Sequence, residues 1–385
     1  MKWAAIRRKL ARVDRAIDKA IAGSEIPGAV VGARMPKNGE TLEYFSERGL
    51  ALLQPERIPM TRRTIFDLAS LTKPLATTTA VLLLVDEGAV ELDAPVAKYL
   101  PPFSERGKEA VTIRHLLTHS SGLKPWRAYH EAFLQKERKT GEKLIGSPEA
   151  RTSVIDRTVR SALVHEPGEA AVYGDLDFIV LGAVVEAVGG RRLDDFCRER
   201  IFGPLDMGDT FFIPIGRDAQ PLPGPTKRRI AATENCPWRN RVLWGEVHDP
   251  NASVMGGVAG HAGLFSTVDD VVKFGQVIID VWHGRSDALP RQSLRQFLTR
   301  QNLPLSSDWA LGWDTPTEGA SSSGKHFSKN SVGHLGFTGT SLWIDLDREA
   351  VIALLTNRVH LIAKKSRFGL RPIVHDAIVE AFEAG

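Results

Sequence analysis

Ser70-Leu71-Thr72-Lys73 puts a hydroxyl and an amine three residues apart at the head of an apolar run, Pro74 to Val85. In a helix, residues i and i+3 share a face. A lysine so placed can take the serine proton, provided burial or a neighbouring cation lowers its pKa. Ser70 would then be a nucleophile for acyl transfer. The tetrad alone is weak, because Ser-x-x-Lys occurs three times: at Ser70, at Ser121 (to Lys124) and at Ser322 (to Lys325). Context separates them. Ser121 is followed by Gly122 and Pro125, which break helices. Ser322 lies in Gly319-Ala320-Ser321-Ser322-Ser323-Gly324, a flexible composition. Only Ser70 opens a long helical run, and its plain alternative is a helix N-cap serine.

A nucleophile also needs an acid/base partner and an oxyanion hole. The chain has four tyrosines. Tyr173-Gly174-Asp175 follows His165-Glu166-Pro167-Gly168 and precedes an apolar run from Leu176 to Val188 that reads as a buried helix. A loop tyrosine at a helix start is placed to enter a cleft, and Asp175 doubles as an N-cap. Near the C-terminus, Gly333-His334-Leu335-Gly336-Phe337-Thr338-Gly339 holds three glycines in seven residues. Such density in a strand signals a bulge, an edge, or close approach by backbone or ligand. A substrate-binding strand would turn a backbone N–H toward the reacting carbonyl.

These three motifs, in this order, resemble those of the serine β-lactamase/penicillin-binding-protein superfamily. The chain is similar to its class C-related branch, which includes carboxylesterases (family VIII-like) and D-amino-acid-specific peptidases. Longer strings carry the likeness over most of the chain: His115-Leu116-Leu117-Thr118-His119-Ser120-Ser121-Gly122-Leu123, Gly256 to Thr267, and Gly333 to Asp345. The resemblance implies that Ser70 is acylated, that Lys73 is its partner, and that Tyr173 shuttles protons. It implies an oxyanion hole from the backbone N–H groups of Ser70 and Phe337. It puts Asp175 where the pattern has an asparagine that contacts substrate, and His334-Leu335-Gly336 where it has Lys-Thr-Gly. It calls for no metal and no cofactor.

Two departures bear on substrate. His334 is only partly protonated near neutral pH, so the permanent cation of the pattern is missing, and Leu335 lacks the threonine hydroxyl. Asp175 is an anion that accepts but cannot donate hydrogen bonds. Both weaken recognition of an anionic substrate and leave the Ser70/Lys73/Tyr173 core intact. Other residues border the argument. Glu246-Val247-His248-Asp249-Pro250-Asn251 lines a cleft or forms a turn held by Asp and Asn side chains. His261 either enters the site or caps the helix beginning near Val268. Trp126 and Trp238, in loops, either line an acyl pocket or anchor those loops.

The elements that must position these residues are legible in outline. The 385 residues, 43% hydrophobic and 25% charged, suit a folded protein with one large or two ordinary domains. A net charge of +4 from 50 basic and 46 acidic residues is a mixed surface, not a nucleic-acid footprint. Lys2, Arg7, Arg8, Lys9, Arg12 and Arg15 share a segment with Trp3, Ile6, Leu10, Val13 and Ile17, spaced as one helix face. That face is read as packing on the protein's own sheet rather than on a membrane surface. Charges interrupt this segment too often for a secretory signal, so a cytoplasmic location is expected. Residues 28–34 and 41–45 flank an Asn38-Gly39 hairpin turn. Residues 214–226 read as a long loop. Residues 341–345 and 350–355 read as strands, and 371–383 as a last helix.

Strands at both termini and helices between them predict an α+β chain with the β-lactamase/transpeptidase-like fold. Its antiparallel sheet, flanked by terminal helices, comes from residues 1–65 and 265–385. A mainly helical domain, 66–264, is inserted, with the active-site cleft between the two. The expected function is acyl-enzyme hydrolysis at Ser70, foremost of small esters, with weak or no β-lactamase activity. The alternatives are an amidase or D-amino-acid peptidase on cell-wall fragments, a β-lactamase, and a non-catalytic penicillin-binding-like sensor. The expected partner is a small ester or amide.

Overall fold

The computed structural model describes residues 2–216, 219–360 and 369–383; the side chains of residues 2–5 and Arg7 lie outside the described set. Lys2, Trp3 and Arg7 of the predicted amphipathic segment are therefore not assigned to a face. The rest of that segment behaves as its spacing demands. Helix α1 (Lys2–Ala22) buries Ile6, Leu10, Val13 and Ile17 and exposes Arg8 and Lys9.

Strand β1 (Gly28–Lys37) turns back through Asn38 and Gly39 into β2 (Glu40–Leu52), pairing Lys37 with Glu40. Both turn residues have positive φ, +52° and +79°. That is the two-residue turn whose twist matches a hairpin. Four more strands complete an antiparallel sheet: β3 (Ile58–Pro59), β4 (Ser331–Leu335), β5 (Ser341–Asp345) and β6 (Ala350–Thr356). The strand order is β3-β2-β1-β6-β5-β4. The two ends of the chain thus meet at the β1–β6 pair, where Val31 lies opposite Leu354.

Alternation along β1 serves two layers. Ala29, Val31 and Ala33 join the cluster formed by α1 and the last helix, α5 (Leu370–Glu383). Gly32 points the other way, and a Cβ there would meet Val268 at 2.7 Å. Helix α4 (Val268–Trp282) covers this second face so closely that a Cβ on Gly275 would meet Val351 at 2.5 Å. Small residues let helix and sheet approach and seat strand β4 at the edge, where His334 sits. A division at residues 65/66 and 264/265 remains our proposal for the domain boundaries. A small sheet pairs Phe66–Asp67 and Phe211–Phe212 with Leu264–Ser266 and ties the elements on both sides of those points together.

The helical region includes α2 (Thr79–Asp86) and the buried α3 (Leu176–Gly189). The run after Ser70 is not one regular helix as expected. A 3₁₀ turn (Ala69–Leu71) leads into a π-helical stretch (Lys73–Thr78) before α2 begins. Pro74 has no amide hydrogen to give, which favours local rewinding, and Thr79 Oγ1 donates to Pro74 O at 2.9 Å. Within the predicted 214–226 loop, Gly224–Arg228 opens a short helix, and residues 217 and 218 lie outside the described set. Among the described residues, no helix is long and apolar enough to cross a membrane.

Helix α3 begins just after Asp175 and packs on the backbone at Gly260, where a Cβ would meet Phe178 O at 2.1 Å. Gly260→Ala is expected to lower stability by about 2 kcal/mol or more, whereas Gly208→Ala, with open space around it, should change stability by less than about 0.5 kcal/mol. Urea unfolding of both variants checks this.

Candidate active site

Ser70 leaves a strained turn. Ala69 before it has φ +48°, a left-handed conformation that costs a non-glycine residue about 1–2 kcal/mol. Buried Asp67 holds the turn: its carboxylate accepts from Ala69 N at 2.8 Å and from His248 N at 2.7 Å. One turn on, Lys73 is fully buried. Its Nζ donates to Ser70 Oγ (3.1 Å), Asp175 Oδ1 (2.7 Å) and His261 O (3.2 Å). Three oxygens within reach can take the three hydrogens of an ammonium. Burial alone would lower the lysine pKa, but the Asp175 carboxylate outweighs it, with help from Tyr173, and the value is raised. A raised value favours an ammonium at Lys73 over the amine that would take the serine proton. It is the cation of the site, and it donates to Ser70.

Asp175 departs from its capping reading. Its side chain makes no N-cap bond to α3. It faces Lys73 instead, so the site meets substrate with a paired carboxylate and not a bare anion. His261 also differs from the capping reading: Thr267 caps α4 by accepting from Asp270 N. His261 lends its carbonyl to Lys73, and its ring Nε2 lies 2.9 Å from Asp249 Oδ1. Burial works to raise the Asp249 pKa, and His261 beside it prevails and lowers it. Asp175, Asp249 and His261 bring ligand atoms within 4.8 Å of one another, a set that could hold a metal by donor type. Lys73 and His261 already hydrogen-bond to one oxygen of each carboxylate.

Side-chain clips join the two segments that carry the amides expected to form an oxyanion hole. Thr338 Oγ1 donates to Asp67 O (2.8 Å) and Thr340 Oγ1 to Leu68 O (3.1 Å), joining the 336–340 turn to the backbone before Ser70. Arg371 clamps the same turn from α5 through Gly336 O (2.6 Å) and Thr340 O (3.0 Å). A Cβ on Gly336 would meet Leu68 O at 2.5 Å, so this approach requires glycine. Phe337 itself is 70% exposed at the cavity mouth, with His248 stacked on its ring.

Tyr173 lies over Lys73, with Nζ 5.0 Å from its ring centre. Its place is fixed by a residue whose role the sequence did not reveal. His119 accepts Val172 N at its carbonyl (2.8 Å) and Gly174 N at Nδ1 (3.3 Å), gripping the chain on both sides of Tyr173. The His119 ring packs edge-on against Tyr173 at 4.8 Å, and Trp309 stacks on Tyr173 at 5.7 Å. Burial, then the Lys73 charge, holds the His119 pKa down to about 3. Burial pushes Asp177 up to about 8. Asp177 Oδ2 lies 3.2 Å from the same His119 nitrogen. Ser121, the second Ser-x-x-Lys serine, donates to the other Asp177 oxygen and belongs to this support.

His334 is buried, and burial together with Lys73 lowers its pKa well below the ordinary value. It is neutral, not partly protonated. Its Nδ1 donates to Leu335 O (2.9 Å), which leaves Nε2 as a buried acceptor without a partner. A cavity of about 1200 Å³ opens over these groups, and Ser70, Tyr173, Asp175, His334, Leu335 and Gly336 all line it. Phe337, Trp126, Trp238, His248, Asp249 and His261 line it too.

Asp175→Asn tests the ion pair. With the folded lysine pKa raised above 10.5, the pair stabilises the protein below 10.5 wherever Asp175 is ionised, and is lost as pH rises through the folded value. In the variant, burial is opposed by Tyr173 without the Asp175 carboxylate, and the pKa falls. Loss of the ammonium should then bring the alkaline limb of kcat/KM down by about two pH units or more, read from pH–rate profiles of wild type and variant.

A solved structure, the octameric penicillin-binding protein homologue from Pyrococcus abyssi, superposes with a TM-score of 0.70 at 23% identity, covering 97% of this chain and 77% of that one. The α+β fold is therefore that of the β-lactamase/transpeptidase group. An N-acetylmuramyl-L-alanine amidase of Bacillus subtilis (strain 168) is 33% identical over 92% of this chain and 82% of its own length. A putative D-alanyl-D-alanine carboxypeptidase of Escherichia coli (strain K12) is 31% identical over 80% and 73%. The family model described as Beta-lactamase matches residues 13–367, and the chain belongs to that family, within the superfamily of serine hydrolases.

Proposed function

We propose that the chain is an amide hydrolase that works through an acyl-enzyme on Ser70, with a muramyl–L-alanine type of amide as substrate. The observation that carries the chemistry is the Ser70–Lys73–Asp175 chain of hydrogen bonds at the floor of a large open cavity. The likeness to the amidase supports the substrate class. So does the volume of about 1200 Å³, far more than a short acyl ester fills.

Ser70 Oγ attacks the amide carbonyl, forming a C–O bond. The oxyanion rests on the N–H groups of Ser70 and Phe337. The Tyr173 hydroxyl takes the Ser70 proton as it gives its own to the leaving nitrogen, and the C–N bond breaks. Lys73 stays charged throughout and steadies the negative charge that develops on both oxygens. Water then attacks the acyl-enzyme by the same relay, and Ser70 is regained.

A neutral His334 offers no cation to a carboxylate beside the scissile bond, which disfavours D-alanyl-D-alanine and β-lactams as substrates. It leaves a second reading open, hydrolysis of small esters, which needs the same serine and no anion site. Turnover of N-acetylmuramyl-L-alanyl-D-isoglutamine, a D-alanyl-D-alanine peptide, a chromogenic cephalosporin and nitrophenyl butyrate separates these readings. The muramyl amide is expected to have the highest kcat/KM. Ser70→Ala should lose roughly 10³-fold or more on it. Preference for the cephalosporin or the D-alanyl peptide would overturn the assignment. Ester turnover without amide turnover would favour the second reading.

A further inference from the structure

Trp126 is 46% exposed, yet it lines the catalytic cavity rather than open surface. A large aromatic face left uncovered inside a cleft is a binding feature. It does not stand alone. The His130 ring lies 6.1 Å from Trp126 and 5.6 Å from Trp238, and both tryptophans line the cavity. Each tryptophan is braced. Arg239 stands over Trp238 at 4.5 Å while its guanidinium donates to Val247 O (2.6 Å) and His248 O (3.0 Å). Beside Trp126, Pro125 O accepts from Asp175 N (2.7 Å), and Arg127 O accepts from Asn251 Nδ2 (2.8 Å). The aromatic wall is thus fastened to the residue that holds Lys73.

The same cavity carries Glu234, Asn235, Asn240 and Asp249. Carboxylates and amides beside flat aromatic faces suit a ligand with C–H faces for the rings and hydroxyls for the polar groups. An aliphatic acyl chain would desolvate the Asn235 and Asn240 amides without offering them partners. A bare aryl ring would stack but would leave those amides equally unpaired.

We infer that Trp126 and Trp238 form a pyranose platform beside the scissile bond and are the residues that select a sugar-bearing substrate. The inference rests on the amide-hydrolase reading for its choice of substrate, and its test is built to fail separately. Trp126→Leu and Trp238→Leu are assayed on N-acetylmuramyl-L-alanyl-D-isoglutamine and on the sugar-free lactyl-L-alanyl-D-isoglutamine. Each variant is expected to raise KM for the sugar-bearing amide about tenfold with kcat within about twofold. KM for the sugar-free amide should be unchanged. An equal effect on both substrates, or none on either, overturns the platform. Calorimetric titration of N-acetylmuramic acid into the Ser70→Ala protein reads the platform without turnover. Binding that weakens about tenfold when Trp126→Leu is added supports it even if no amide is cleaved, in which case only the amide reading falls. Absence of binding to the Ser70→Ala protein, or binding that Trp126→Leu leaves unaltered, overturns the platform itself.

Discussion

One buried positive charge organises the site. Lys73 has no exposure to water, and its ammonium survives there because Asp175, Ser70 and the His261 carbonyl replace its hydration shell. A buried ion is expensive unless its pairing and hydrogen bonding are complete, and loss of one partner costs far more than the pair contributes to stability. The neighbours answer to the same charge. Burial and Lys73 together keep His119 and His334 neutral, so neither competes as a second cation. One neutral imidazole can then accept from Gly174 N and hold Tyr173 in place, and the other faces the cavity as an acceptor.

The rest of the fold serves to bring three distant segments to that charge. The turn before Ser70 is set by Asp67, the loop of Tyr173 by His119 and Pro125, and the 336–340 turn by Thr338, Thr340 and Arg371. The Thr338 and Thr340 clips join side chain to backbone across more than 270 residues of sequence, and the others tie shorter spans. Small residues at Gly32, Gly275 and Gly260 allow the layers to come close enough for these bonds to form. The geometry is therefore a property of packing, not of any one motif.

The sequence revealed what depends on local pattern. The Asn38-Gly39 hairpin, the buried face of the first helix, the last helix, the strands at 341–345 and 350–355, and the α+β layout follow from periodicity and turn chemistry. The family followed from strings of residues long enough to be specific. Charge states were not legible, because they depend on who faces whom in three dimensions. Ser-x-x-Lys spacing alone left open an amine or an ammonium at Lys73, and only the contact with Asp175, 102 residues away, decides it. The same holds for His334, whose burial is set by the sheet edge and the aromatic rings over it. His119 stood within a quoted string, but nothing in its spacing to Tyr173 disclosed the grip on residues 172 and 174. The π-helical winding after Ser70 was missed because the apolar run carries no periodic mark of it beyond Pro74.

The central claim is that Lys73 is an ammonium in the resting protein. Carbon-13 NMR of protein labelled at the lysine ε-carbon reads this directly, with Lys73→Arg identifying the resonance. The account predicts a Lys73 shift that stays at the protonated value from neutral pH up through the ordinary lysine value of 10.5. A resonance that titrates near neutrality would contradict it and would return Lys73 to the role of general base.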